Sequence, residues 1–106
     1  MLYTIIETPE FSAQRARLLS DQGFRAIQSR LLAEPASGSV IPGTGGVRKL
    51  RVAMRGKGTR GGGRVIYFLR RQSGRIYLLT CYAKSEQEDL SPRQRQLLRL
   101  VASQLP

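Results

Sequence analysis

The 106-residue chain reads as one α+β domain over residues 1–106: a small antiparallel-rich sheet with an N-terminal helical hairpin and a C-terminal helix, in the order β-α-α-β-β-β-α. Three observations predict it. Apolar residues recur at helical spacing in the first third and again near the end, alternating and β-branched stretches fill the middle, and breaks rich in Gly, Pro and Ser separate them. At this length one modest core can form and a second domain has no room.

Residues 2–6 are apolar and β-branched, which suits a strand, and Thr8-Pro9-Glu10 then supplies an N-cap, a proline at the first helical position and an acidic first turn. The first helix runs to about Leu19. Ser20-Asp21 offers a second cap, and Phe24, Ile27, Leu31 and Leu32 hold helical spacing until Glu34-Pro35 ends it. Residues 35–46 read as a loop, leading into an alternating strand with Leu50, Val52 and Met54 on one face and Lys49, Arg51 and Arg55 on the other. Residues 56–63 are a second loop. Residues 64–70 and 75–83 are hairpin partners around Gln72-Ser73-Gly74, apolar on both faces and so central in the sheet. Ser91-Pro92-Arg93-Gln94 matches a capping box, and Leu97, Leu98, Val101 and Leu105 make the apolar stripe of the last helix.

Charge is the strongest functional signal. Eighteen Lys and Arg stand against 7 Asp and Glu, a formal +11. Between Pro35 and Ser85 there are 11 basic residues and no acidic one, while the two flanks together are neutral. So many cations in one half of a small domain repel one another, and an anionic partner is the natural explanation. Nucleic acid is favoured over membrane because no long amphipathic basic helix coincides with the cluster.

One cysteine and no histidine argue against a disulfide and against the usual zinc sites, so neither metal nor other cofactor is expected. The first six residues lack a basic n-region and run into Glu7-Thr8-Pro9-Glu10, and no apolar run approaches about 18 residues, so the expected location is cytoplasmic, without membrane contact. Gly56-Lys57-Gly58-Thr59-Arg60-Gly61 matches G-x-G-x-x-G but leads into a strand, with no acidic residue about 20 positions on, so it does not read as a dinucleotide site. Cys81 lies in an apolar strand with no histidine to serve as base, and reads as core.

A glycine-rich loop carrying Lys57 and Arg60, flanked by strands with Lys49, Arg51, Arg55 and Arg64, can surround a phosphate with cations and backbone amides. RNA cleavage by internal transesterification needs a 2′-hydroxyl deprotonated, a dianionic phosphorane stabilised and a leaving 5′-oxygen protonated. Without histidine those proton transfers fall to Lys57, Lys84 or Tyr82, whose pKa values nearby cations would depress. Phosphate binding without chemistry fits the same residues.

The segments Gly45-Gly46-Val47-Arg48-Lys49-Leu50-Arg51, Gly56-Lys57-Gly58-Thr59-Arg60-Gly61-Gly62-Gly63-Arg64 and Tyr82-Ala83-Lys84-Ser85-Glu86-Gln87-Glu88-Asp89-Leu90 resemble the RelE/ParE toxin superfamily, most closely its HigB-like branch. The resemblance implies a bacterial type II toxin that enters the ribosomal A site, cleaves mRNA as a metal-free endoribonuclease and so inhibits translation. It implies a cognate antitoxin, with a DNA-binding domain through which alone the toxin would reach operator DNA. By motif position it makes Lys57, Arg64, Tyr82 and Lys84 the catalytic set, with Arg48, Lys49, Arg51, Arg55 and Arg60 gripping ribosomal RNA and mRNA. The alternative is a ParE-like, non-enzymatic inhibitor of DNA gyrase or a basic nucleic-acid-binding module, since fold alone does not separate them.

Overall fold

The structure is a computed structural model that describes residues 2–56 and 62–106. Its elements are β1 (Thr4–Glu7), α1 (Pro9–Leu18), α2 (Asp21–Ala33), β2 (Ser39–Val40), β3 (Val47–Val52), β4 (Gly63–Arg70), β5 (Arg75–Ala83) and α3 (Pro92–Gln104). The order matches the expected one with a single addition: the connection expected to be all loop contains the two-residue β2, where Ser39 and Val40 pair with Lys49 and Arg48. The sheet order is β1-β5-β4-β3-β2. Neighbours run antiparallel except β1, which lies parallel to β5.

The helix starts follow from side-chain capping. Thr8, Ser20 and Ser91 each accept a hydrogen bond from the backbone N–H three residues on, and Ser91 with Gln94 completes the reciprocal capping box. Between β4 and β5 the chain makes one 3-10 turn, Arg71–Ser73, and reverses at Gly74, whose φ of 66° is the left-handed conformation that favours glycine.

Two helices cover one face of the sheet and one helix covers part of the other. On the α1/α2 face, Phe11, Phe24, Ile27 and Leu31 close over Leu50, Val52, Val65, Ile76, Leu78 and Cys81. The Phe11 and Phe24 rings lie 5.9 Å apart, with the Arg15 guanidinium 4.2 Å from the Phe24 ring centre. On the α3 face, Leu98, Ala102 and Leu105 pack on Val47, Ile66, Phe68, Tyr77 and Leu79.

Two expected apolar stripes are narrower than their spacing suggested. Leu31 is fully buried but Leu32 is 48 % exposed. On α3, Leu97 and Val101 are exposed, because the helix docks through the row Leu98, Ala102, Leu105, one position round from the stripe centred on Leu97 and Val101. Arg70 on β4 anchors that docking by donating to the Ala102 and Leu105 carbonyls while lying 4.9 Å from the Phe68 ring centre.

The ladder between β4 and β5 contains one irregularity. Leu78 pairs with Tyr67 and Thr80 with Ile66, so Leu79 is an extra residue, a β-bulge. Thr8 holds it from outside: its N–H donates to the Leu78 carbonyl (3.1 Å) and its hydroxyl to the Leu79 carbonyl (2.8 Å).

Candidate functional site

Beyond the bulge, β3, β4 and β5 place Arg51, Arg64 and Tyr82 directly opposite one another, Arg51 against Arg64 and Arg64 against Tyr82. All three lie on the α3 face, because Ile66 and Tyr82, which share its packing, are in phase with Arg64. Lys49 stands one pleat away, opposite Ile66. Lys84 follows Tyr82 off the end of β5, with its backbone N–H bonded to the Gly62 carbonyl at 3.0 Å. The end of the sheet thus brings together Lys49, Arg51, Arg64, Tyr82 and Lys84 of the residues that the sequence singled out. Lys57 and Arg60 lie outside the described residues.

Arg64 is the unusual member. It is only 8 % exposed, and among the described residues its guanidinium meets no carboxylate, its one hydrogen bond being to the adjacent Gly63 carbonyl at 2.9 Å. A buried cation faced by a second arginine across the ladder is destabilising without an anion between them. Gly63 must be glycine here, since a Cβ would overlap the Tyr82 carbonyl and the Met54 side chain.

Arg48 and Arg55 are directed elsewhere. Arg48 is out of phase with Arg51, and its guanidinium donates to the Ala36 and Gly38 carbonyls, at 3.2 and 2.7 Å, holding the chain between α2 and β2. Arg55 was expected to share a face with Lys49 and Arg51. It does not: the alternation runs on to the buried Met54, the chain then turns, and Arg55 donates to the Leu19 carbonyl at the end of α1 (2.9 Å).

The sequence reading missed Asp89 and Arg95. Asp89 accepts from the Leu90 amide (2.7 Å), from Lys49 (3.5 Å) and from Arg95 of α3 (3.2 Å). The Leu90 amide, followed by Lys49 and Arg95, holds its carboxyl below the usual range. Asp89 lies in the segment that carries the resemblance, just ahead of a capping box, but by itself it reads equally well as a surface residue.

Tyr82 corrects the expectation that surrounding cations favour phenolate. Its pKa is raised, because burial outweighs the opposing pull of Arg64 and Arg95, and Asp89 adds to the rise. The phenol therefore keeps its proton at neutral pH, and among the described residues its buried hydroxyl has no hydrogen-bond partner.

A family model described as the RelE toxin of the RelE/RelB toxin–antitoxin system matches residues 16–106. Among solved structures, the chain is similar to a double-arginine mutant of the Escherichia coli toxin RelE in the free state, with a TM-score of 0.60 and 13 % sequence identity, over 83 % of this chain and 90 % of that one. At that identity the likeness speaks for the fold, and the match to the family model speaks for descent. With most of its length covered by that match, the chain belongs to the RelE toxin family and is the toxin of a toxin–antitoxin system.

Proposed function

We propose that this toxin cleaves mRNA on the ribosome by metal-free transesterification. The observation that carries the reading is the cross-strand row Arg51, Arg64, Tyr82: two arginines paired across the ladder and, among the described residues, bonded to no acid, beside a phenol that holds its proton and lacks a partner among the described residues. A phosphodiester seated on the row would relieve the repulsion between the arginines.

The chemistry then divides among the residues by charge. The 2′-oxygen attacks phosphorus, the P–O5′ bond breaks, and the products are a 2′,3′-cyclic phosphate and a 5′-hydroxyl. Arg64 and Arg51 stabilise the dianionic phosphorane. Tyr82 donates its proton to the leaving 5′-oxygen, consistent with its raised pKa. Lys57 and Lys84 are the candidates for taking the 2′-hydroxyl proton, and Lys49 and Arg60 would hold flanking backbone. This set of cations offers sequence-blind affinity, and the ribosome would supply substrate position. A cognate antitoxin restrains the toxin in the cytoplasm and carries any contact with operator DNA.

Primer-extension mapping on mRNA in a reconstituted translation system tests the reading. Codon-aligned cuts that need translating ribosomes are expected, with little cleavage of naked RNA. Intact mRNA together with trapped gyrase–DNA complexes would replace it with the ParE-like alternative.

A further inference from the structure

The Arg64 row opens sideways into a second cationic pocket. It has a volume of about 280 Å³ and is walled by Arg30 near the end of α2, by Ser37 and Ser39 from the connection that follows, and by Lys49, Arg51 and Arg64. It exists because β2 is so short. Ser39 and Val40 pair only with Lys49 and Arg48, so β3 has an open edge beyond Lys49, and α2 lies along it.

The wall has a consistent chemistry. It carries four cationic side chains and two hydroxyl groups, with Leu50 as its one apolar member and neither a carboxylate nor an aromatic ring. The polar groove on the β5 side of the row differs, for Glu10 and Glu86 line it beside Arg17 and Tyr82. Among the described residues Arg30 makes no ion pair, and of the pocket's cations only Lys49 is neutralised, by Asp89. A pocket rich in donors without an aromatic platform suits the backbone of a nucleic acid strand and not its bases.

We propose that Arg30, with Ser37 and Ser39, forms a second phosphate subsite, occupied by the backbone phosphate next to the one held on Arg64 in the same RNA strand. The proposal rests on the reading of Arg64 as the clamp on the cleaved phosphodiester. A strand with one phosphate on Arg64 carries its next phosphate one nucleotide away, and on the β3-edge side the pocket is where that charge is met by Arg30 and Arg51. The subsite would fix the direction in which the strand crosses the sheet end, which a single phosphate clamp leaves open.

The test counts phosphates. Binding of a fluorescein-labelled RNA pentanucleotide, 2′-O-methylated to prevent cleavage, is measured by anisotropy across a salt series. Arg30 is exposed, so Arg30→Ala should fold normally. It is expected to weaken binding about tenfold at low salt and to flatten the slope of log K against log salt by about 0.7, one phosphate of a single strand. Arg30→Lys should restore the slope. Arg25→Ala, an exposed arginine of the same helix outside the pocket, should leave both quantities at the wild-type values. Equal behaviour of the Arg30→Ala and Arg25→Ala proteins would overturn the subsite. So would Arg30-dependent binding of inorganic phosphate with an unchanged RNA slope, since that describes a free-ion site. An Arg30-dependent slope in a toxin that leaves translated mRNA intact would uphold the subsite and retire the nuclease. Codon-aligned cutting with no Arg30 dependence of the slope would do the reverse.

Discussion

The two faces of the sheet use the same strands for opposite ends. On the α1/α2 face, two capped helices close over β3, β4 and β5, so alternate residues there bury aromatic and branched side chains. On the α3 face a single helix covers only part of the sheet, and the end of the sheet on that face carries Arg51, Arg64 and Tyr82. One face is therefore apolar along its whole length, whereas the other is apolar under α3 and cationic beyond it, where an anion would relieve the repulsion. On the proposed reading, strand parity sets the candidate site on one face only, and substitutions on the two faces should fail in different ways.

The comparison is broken most severely by emptying the closed face. Phe11→Ala should lower the free energy of unfolding by about 3–5 kcal/mol, read by urea denaturation, because the ring is fully buried. A loss under about 1 kcal/mol would mean that the two faces are not so divided. On the α3 face, Arg64→Ala is expected to reduce ribosome-dependent cleavage by roughly 10²–10³-fold without lowering the melting temperature, since it also removes a buried cation that stands opposite Arg51 on the ladder. Wild-type cleavage by that variant would remove Arg64 from the reaction.

Thr8→Ala bridges the two faces and should cost about 1–2 kcal/mol. The substitution removes both the α1 cap and the bond to Leu79. If it costs no more than Ser20→Ala, which loses a cap alone, the bond to Leu79 contributes nothing.

Cys81 sharpens the contrast by pH. Burial pushes its thiol up to about 12, from an ordinary value near 9. The folded state thus favours the protonated form, a contribution complete below about pH 9 and lost as the pH rises toward 12. The urea midpoint of the wild type should therefore fall more steeply above pH 9 than that of Cys81→Ala. Parallel curves would show that the thiol is not held this way. The smallest effect is expected at Leu97, 54 % exposed on α3, where Leu97→Gln should change stability by no more than about 0.5 kcal/mol.

What could be read from the sequence was what is decided within a few residues. The three caps, the turn at Gly74 and the buried positions Phe24, Ile27 and Leu31 depend on local spacing, and each is present where expected. Pairing between distant segments left fainter marks. Nothing in residues 2–6 signals a parallel strand beside β5, and Ser39-Val40 is too short to stand out from a loop. The site was legible as a set of residue types. Its membership was not, because whether Arg48 or Arg51 faces α3 is a matter of register, and Arg30 joins through the path of α2 past the strand edge.

The bulge at Leu79 has a chemical consequence of its own. If the hairpin zipped up from Gly74 without it, Leu79 would fall opposite Ile66 and every later pair would move by one, setting Cys81 against Arg64 and Tyr82 against Gly63. Both alignments bring β5 along β4, yet in one a phenol stands next to the buried guanidinium and in the other a thiol. Thr8 bonds to the bulged alignment, donating to the Leu78 and Leu79 carbonyls from the end of β1. A hydroxyl at the end of β1, far along the chain from Arg64, thus favours the register that sets an oxygen rather than a sulfur beside that guanidinium.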